Sequence, residues 1–233
     1  EYLFKSDYIA DNSKREFLKK SLSIGVIGVS GVASIYGFHS SRKGPTIIEQ
    51  NIFLENLPIE YEDFSIAQIS DLHVGPTIKK NYVENVQKKI DHINPDLIAV
   101  TGDLVDGSVK HLSKDLQPFK DMIARYGTYF VTGNHEYYSD LNGWLRLIEK
   151  LGFKILVNES QIININGYKI MITGIPDRSG KYFSNFHKTD MNKALEGMPK
   201  PDLKILLAHR PKDIEYSLKY NYDIQLSGHT HGG

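Results

Sequence analysis

The chain has 233 residues, of which 40% are hydrophobic and 11% aromatic, so it can bury a substantial core within a single domain. Lysine plus arginine and aspartate plus glutamate both number 28, so the formal net charge is zero and we expect no nucleic-acid partner. The lack of cysteine excludes disulfides and thiolate ligands, so a metal site must use nitrogen and oxygen donors.

The first segment of the chain predicts an export signal or a membrane anchor. A basic stretch, SKREFLKK at residues 13–20, precedes an uncharged stretch at residues 21–38 that is rich in glycine, serine, valine and isoleucine. The basic stretch resembles the twin-arginine export motif, with Lys14 in place of the first arginine. A single membrane helix is the alternative, because a bilayer is crossed by about 20 residues. We therefore expect residues 1–45 to be a signal or anchor followed by a linker, with the folded domain facing away from the cytoplasm.

From residue 46 onwards, strand and helix signals alternate. Apolar stretches predict strands at residues 47–54, 64–69, 97–100, 129–131, 155–157, 170–175, 204–207 and 224–226. Helical spacing of apolar residues predicts helices around residues 83–93, 141–151 and 213–219. Asn166–Gly167, between two apolar stretches, predicts a β-hairpin. The pattern favours a layered α/β fold with a largely buried sheet and some antiparallel pairing.

Two short polar motifs follow the early strands. Asp71 and His73 come after the strand at residues 64–69, and their two-residue spacing directs both side chains to one face. Asp103 follows the strand at residues 97–100, and its two carboxylate oxygens can bridge two cations, which an imidazole cannot do. Each motif is weak alone, because an isolated aspartate at a strand end more often caps a turn.

The later motifs are more specific. Residues 133–136 read Gly-Asn-His-Glu, and Asn134 offers a neutral carbonyl oxygen to a site that already holds carboxylates. His229 and His231 repeat the two-residue spacing, and each would need a buried hydrogen-bond partner if it lay in a core. His209 follows the strand at residues 204–207. These side chains predict one metal-binding rim at the strand ends.

The order of these motifs, D-x-H, G-D, G-N-H-E, H and G-H-x-H, resembles the calcineurin-like metallophosphoesterase superfamily from about Phe64 to Gly233. SDLHVG at residues 70–75 and GHTHGG at residues 228–233 are most similar to its bacterial exported or membrane-associated branch, which includes enzymes compared with UDP-diacylglucosamine pyrophosphohydrolases. The resemblance implies a four-layer α/β sandwich, with mixed β-sheets flanked by helices and a dinuclear metal site at the strand ends. It also implies that the phosphoesterase domain, residues 46–233, is incomplete at its C-terminal end.

Carried over residue by residue, the resemblance implies two divalent metal ions, and the donor types favour Mn, Fe, Zn or a mixture of them. One ion would be held by Asp71, His73, Asp103 and His231, and the other by Asp103, Asn134, His209 and His229. A hydroxide bridging the ions would attack phosphorus. The candidate catalytic residues are Asp103, the shared ligand, and His135, which would stabilise the transition state or protonate the leaving oxygen. Asn134 and Arg210 are weaker candidates for contact with the phosphate, because an arginine at a strand end is as often salt-bridged.

These features favour a phosphoesterase that hydrolyses a phosphodiester or pyrophosphate in a lipid-linked or nucleotide-linked substrate at a membrane surface. One alternative is a phosphomonoesterase acting on proteins or small molecules, although the arginine of the superfamily's G-D-x-V-D-R-G motif is missing between Asp106 and Gly107. A second alternative is a non-catalytic scaffold, although every metal-ligand position is retained. We expect the loops at residues 77–82, 137–143 and 177–188 to form the substrate pocket; the aromatic and basic residues of segment 177–188 fit a phosphate joined to an apolar or ring-bearing group, and ordinary loop packing is the alternative. The sequence does not indicate an oligomeric state.

Overall fold

The computed structural model describes residues 12–40, 44–55 and 57–231. The start of the expected leader, residues 41–43 of the expected linker, and Gly232–Gly233 at the end of the last motif lie outside the described residues. The chain divides into two compact units, one ending at Gly44 and one beginning at Pro45.

The first unit contains one long helix, α1, at Asn12–Ser40. Its 29 residues correspond to a length of about 43 Å at the usual rise of an α-helix. It includes both the basic stretch and the uncharged stretch, and none of its residues is buried. By length and composition, α1 can cross a bilayer, a property that an N-terminal signal sequence shares.

The second unit contains two four-stranded sheets. In the first sheet, the strands lie side by side in chain order and are all parallel: β1 (Ile66–Ile69), β2 (Leu97–Val100), β3 (Thr128–Phe130) and β4 (Lys154–Ile155). All four residues of β2 are buried, as expected for a strand covered on both faces. Because the strands are parallel, the loops after β1, β2 and β3 leave the same edge of the sheet.

The second sheet is mixed, as the sequence predicts. It consists of β5 (Glu159–Ile165), β6 (Tyr168–Gly174), β7 (Leu203–Leu207) and β8 (Ile224–Leu226), in that order. The first two strands are antiparallel and the others pair in parallel. Ile165 lies opposite Tyr168, so Asn166 and Gly167 alone form the turn, with φ of 50° and 94°. Positive φ at both positions is what a two-residue type I′ hairpin requires, so this prediction is confirmed.

The described residues of the second unit also form six α-helices: α2 (Lys80–Ile93), α3 (Val109–Leu112), α4 (Asn134–Tyr138), α5 (Leu141–Lys150), α6 (Met191–Leu195) and α7 (Ile214–Tyr220). The predicted apolar face of α2 is buried at Val83, Val86 and Ile90, and the left-handed residue Asn94 ends the helix. The helices α3, α4 and α6 were not predicted, since four or five residues are too few to show a helical period.

The core explains the layer order. Along β2, Ile98 and Val100 pack with α2 and with Trp144 of α5, whereas Leu97 and Ala99 pack against the second sheet. On the outer face of that sheet, Leu206 of β7 lies in a third cluster that includes Met191 of α6 and is packed by residues of α7. Alternate side chains of a strand therefore face opposite layers. The resulting order of helices, sheet, sheet and helices confirms the α/β fold of two sheets flanked by helices.

One predicted element is wrong. Residues 47–54 form no strand, and Ile48 and Phe53 are almost fully exposed. Their apolar side chains suggested a strand, but a strand also needs a neighbour for its backbone groups and a surface that covers one face.

Candidate metal centre

The loops after β1, β2, β3, β7 and β8 meet where the two sheets end. They bring together side chains from both sheets, because the imidazole Nε2 of His209 lies 3.1 Å from Asp103 Oδ2. The backbone N–H of His229 also donates to the Asp71 carboxylate, at 2.9 Å from Oδ2. The predicted rim thus consists of residues that are distant in the chain and adjacent in space.

The first cluster contains Asp71, His73 and His231, whose potential ligand atoms all lie within 4.8 Å of one another. His231 Nε2 is 3.7 Å from Asp71 Oδ1, and the rings of His73 and His231 are stacked at a centroid distance of 5.2 Å. Asp103 Oδ2 lies 3.8 Å from His73 Nε2 at the edge of this cluster. Two imidazoles and a carboxylate at such distances can hold a divalent cation.

The second cluster contains Asp103, His209 and His229, within the same 4.8 Å limit. His229 Nδ1 lies 3.2 Å from His209 Nε2, and both rings belong to loops of the second sheet. Asp103 Oδ2 lies 3.8 Å from His73 Nε2 and 3.1 Å from His209 Nε2, so this atom faces both clusters. Asn134 is buried beside the site, and its amide oxygen lies 3.5 Å from Arg210 Nη2.

The donor atoms of the second cluster are oriented for a cation. His209 is wholly buried, and its Nδ1 lies 2.7 Å from the carbonyl oxygen of Thr101, which can only accept. Nδ1 therefore carries a proton, and Nε2, the ring atom left to bind a cation, faces Asp103, an arrangement typical of metal-binding histidines. Burial by itself would lower the pKa of His209, but the hydrogen bond and charge of Asp103 raise this pKa above its ordinary value.

The carboxylate of Asp103 is kept ionised by its neighbours. Burial alone would raise the pKa of Asp103, but the hydrogen bond with His209 and the backbone N–H of His135 hold it below the usual value. That N–H lies 2.8 Å from Oδ1. For His73, burial is the largest cause of a lowered pKa, which keeps the imidazole neutral and able to bind a metal.

Five of the seven candidate metal ligands adopt a left-handed backbone conformation, which sequence reasoning missed. Their φ values lie between 47° and 71°: Asp71, His73, Asp103, His229 and His231. Such a conformation costs an L-residue roughly 1–2 kcal/mol and is tolerated best by Asp, Asn and His. The residue types at these positions are compatible with the strain, but they do not by themselves predict it.

Two glycines allow the loops to approach each other. A Cβ atom on Gly133 would lie 2.2 Å from Asp103 Oδ1, and one on Gly228 would lie 1.8 Å from Ser70 Oγ. Neither position has room for a methyl group, so glycine is required there by close packing.

Glu136 fixes the loop after β2, a role that sequence reasoning did not assign. Its side chain is wholly buried and accepts hydrogen bonds from the backbone N–H groups of Asp103, Leu104 and Gly133, at 3.1, 2.8 and 2.7 Å. Burial, followed by the negative charge of Asp103, raises the pKa of Glu136 to about 7. The carboxylate joins the loops that carry Asp103 and Asn134.

His135 lies at the open side of the centre. Its Nδ1 is 3.2 Å from Asp106 Oδ1, and its ring centroid is 4.4 Å from that of His73. The His135 ring is partly exposed, so a molecule that enters from solvent and binds at the clusters can contact it. The potential ligand atoms of His73, Asp106 and His135 also lie within 4.8 Å of one another.

Arg210 forms a salt bridge, which was the alternative to phosphate contact. Its Nε and Nη2 donate to the two oxygens of Asp177, at 2.6 and 3.2 Å, and Asp177 is wholly buried. Burial alone would raise the pKa of Asp177, but the hydrogen bond from Arg210 lowers this pKa below the usual value. The sequence does not reveal that Asp177 pairs with Arg210, because the two residues are 33 positions apart in the chain.

Comparison with known proteins gives a consistent assignment. The model of the calcineurin-like phosphoesterase family matches residues 64–233. An uncharacterised metallophosphoesterase of Aquifex aeolicus is 36% identical over 179 residues, covering 77% of this chain and 67% of that protein. A transmembrane protein with metallophosphoesterase domain from Danio rerio is 32% identical over 212 residues, covering 88% of this chain and 48% of that protein. The chain therefore spans about half the length of this relative.

The fold is also found among solved structures. The NAD nucleotidase of Haemophilus influenzae superposes with a TM-score of 0.52 at 20% sequence identity, covering 72% of this chain and 38% of that chain. At this identity the likeness concerns the fold alone. The family match spans the residues that form both sheets and carry the clustered ligands. The chain therefore belongs to the calcineurin-like phosphoesterase family, whose members hydrolyse phosphate esters and typically bind divalent metals.

Proposed function

We propose that this protein hydrolyses a phosphodiester or pyrophosphate with two divalent ions held by clusters that share Asp103. The position of Asp103 carries this proposal, because its Oδ2 atom lies 3.1 Å from His209 Nε2 and 3.8 Å from His73 Nε2. One carboxylate thus faces imidazoles from both clusters, which is the arrangement that a bridging ligand needs.

The proposed ligands of one ion are Asp71, His73, Asp103 and His231, and those of the other are Asp103, Asn134, His209 and His229. Carboxylate, amide and imidazole donors without thiolate fit Mn, Fe or Zn. When bound, such ions supply an activated water molecule near neutral pH and neutralise charge on the phosphoryl group.

The protein's own groups provide orientation and a proton. The N–H at Nδ1 of His135 donates to Asp106, so Nε2 is the atom that gives a proton to the leaving oxygen. In addition to its salt bridge with Asp177, Arg210 is the proposed phosphate contact, since its Nη2 lies 3.5 Å from Oδ1 of Asn134, a proposed metal ligand. The buried carboxylate of Asp177 holds the guanidinium in that orientation.

We further propose that the substrate is lipid-linked or nucleotide-linked and that the enzyme acts at the extracytoplasmic face of a membrane. Support comes from α1, which is long and apolar enough to span a bilayer, and from relatives named as transmembrane proteins in Danio rerio and Bos taurus. Residues 1–45 would then serve as an anchor or export signal, and residues 46–233 as the phosphoesterase domain. The SDLHVG and GHTHGG motifs favour the branch that resembles UDP-diacylglucosamine pyrophosphohydrolases.

The reaction can be tested with two chromogenic esters. The chain is stripped of metal with a chelator, reloaded with Mn, Fe or Zn, and assayed with bis-p-nitrophenyl phosphate and p-nitrophenyl phosphate. We expect metal-dependent cleavage that favours the diester. Because p-nitrophenolate leaves without a proton, the loss of about 10²- to 10⁴-fold in kcat expected for His135→Ala on removal of a proton donor is measured with a diester that has an alkoxide leaving group.

His92→Ala is a matched control, because His92 is an exposed histidine of α2 and belongs to none of the candidate metal groups. It should retain the parental rate. Preference for the monoester would contradict the proposed bond specificity, and bound metal without hydrolysis of either ester would favour the scaffold alternative.

A further inference from the structure

An exposed aromatic ring lies next to the proposed proton donor. His135 and Tyr138 are three residues apart in α4, so both side chains project from the same face of this short helix. Their ring centroids are 5.7 Å apart, and the rings meet edge to face. Tyr138 is 61% exposed. The ring of Tyr138 is thus open to solvent beside the imidazole of His135.

Phe183, in segment 177–188, places a second exposed ring next to Tyr138. Its ring centroid lies 6.4 Å from that of Tyr138 and 5.5 Å from that of Tyr137, and 53% of the residue is exposed. Tyr137 itself is buried, and its hydroxyl bonds to Thr132 Oγ1 at 2.9 Å and His187 Nδ1 at 2.7 Å. Phe183 therefore packs on a ring that hydrogen bonds hold in place.

The other residues of segment 177–188 do not extend the surface in the same way. Arg178 forms salt bridges with Asp213 and Glu215. Tyr182 and Phe186 are exposed, and within the described part of the chain neither makes a ring contact with α4. Of the aromatic and basic residues that the sequence suggested for the substrate pocket, Phe183 is the one that reaches the surface beside His135.

We propose that Tyr138 and Phe183 form a subsite for the leaving group, and that this leaving group carries an aromatic ring. The inference rests on the proposed function: if His135 protonates the leaving oxygen, the group bonded to that oxygen must lie beside Tyr138. Two exposed rings at this separation present flat apolar faces to a bound ring. A flat ring also loses less conformational freedom on binding than a flexible chain of similar area.

The subsite can be tested by binding, without catalysis. Phenylphosphonate and methylphosphonate carry the same phosphoryl group and differ in whether a ring is attached. We expect calorimetric titration of the metal-loaded full chain to show tighter binding of phenylphosphonate. Phe183→Ala and Tyr138→Ala should each reduce this preference about two- to tenfold, the range of one aromatic contact, and leave the affinity for methylphosphonate unchanged.

Two further variants control for indirect effects. Phe183→Leu keeps an apolar side chain without the ring and should also weaken the preference, which guards against disruption of the loop by alanine. Phe186→Ala removes an exposed aromatic ring of the same segment and should leave both affinities at the parental value.

Equal affinity for the two phosphonates, or an equal effect of Phe186→Ala and Phe183→Ala, would overturn the subsite. The outcome is separate from that of the ester assay. A ring preference that depends on Phe183 in a chain that cleaves no ester would support the subsite and count against the proposed reaction.

Discussion

The candidate ligands occupy strained backbone positions that hydrogen bonds between loops compensate. The backbone N–H of Asp71 donates to the carbonyl oxygen of Gly102 at 3.1 Å, and that of His73 donates to the carbonyl oxygen of Asp103 at 3.0 Å. Asp71 and His73, two of the five left-handed ligands, are therefore held in place by the neighbouring loop. Strain of this kind persists where the surrounding structure determines the conformation, and it is often found at functional sites.

Gly228 gives a direct test of how tightly the loops must pack. In Gly228→Ala the new Cβ would lie 1.8 Å from Ser70 Oγ and 2.2 Å from Asp71 Oδ2, so the loop that carries His229 must move. We expect the variant to fold but to lose at least tenfold in metal affinity, measured by competition with a chromogenic chelator, because its ligands no longer converge.

Gly152→Ala is the control for Gly228→Ala, because it introduces backbone strain without a steric clash at the metal site. Gly152 has φ of 94°, and its Cβ would meet nothing within 4 Å, so alanine there should cost roughly 1–2 kcal/mol of folding stability without affecting metal affinity. Metal affinity that is unchanged in Gly228→Ala would show that close approach at this glycine does not position the ligands.

At the residue level, the sequence identified the polar side chains that meet but not what holds them. All seven candidate ligands follow strands, so strand prediction placed them at a common edge. What Glu136 and Asp177 bind is not visible in the sequence, because the role of a buried carboxylate is recognised only from its partners. Glu136 binds N–H groups up to 33 positions away, and Asp177 binds Arg210 at the same separation.

At the scale of elements, continuous apolar stretches predicted strands well where a neighbouring strand exists. All four residues of β2 and all three of β3 are buried, and both strands lie inside a sheet with a partner on each side. Residues 47–54 have a similar composition, but within residues 44–55 and 57–231 no strand pairs with them. The helix α4 was not predicted because it has only five residues, and the first of them belong to the Gly-Asn-His-Glu motif. Strand pairing and the formation of short helices depend on tertiary contacts, which cannot be read from a single sequence.

The helix α1 makes a prediction about membrane attachment. Arginine in the middle of a membrane helix costs about 2.5–3.5 kcal/mol for insertion, so Val26→Arg combined with Val29→Arg should move the chain from the membrane pellet to the soluble fraction after an alkaline carbonate wash. Both valines are exposed residues of α1.

Ile48→Arg is the matched control, because Ile48 is an exposed apolar residue that lies outside α1. This variant should remain in the pellet with the parent chain. A parent chain that is soluble and shortened at its N-terminus would instead identify the segment as a cleaved signal.

For the whole molecule, the main consequence of the fold is that the proposed centre joins the two sheets. Asp71, His73, Asp103 and Asn134 come from loops of the first sheet, whereas His209, His229 and His231 come from loops of the second. Each proposed ion would therefore have ligands from both sheets, and metal binding would stabilise the contact between them. The sequence predicted the α/β fold from its alternating elements, but the convergence of two sheet edges depended on the family resemblance.

The most direct test is the metal content of the folded chain, measured by atomic emission after reloading and removal of excess metal, in the parent, His231→Ala and Asp103→Ala. We predict about two ions per chain in the parent, about one in His231→Ala, which loses a ligand of one cluster, and fewer than one in Asp103→Ala, which loses the shared carboxylate. A parent chain that binds a single ion, or an Asp103→Ala variant that retains two, would contradict a dinuclear centre bridged by Asp103.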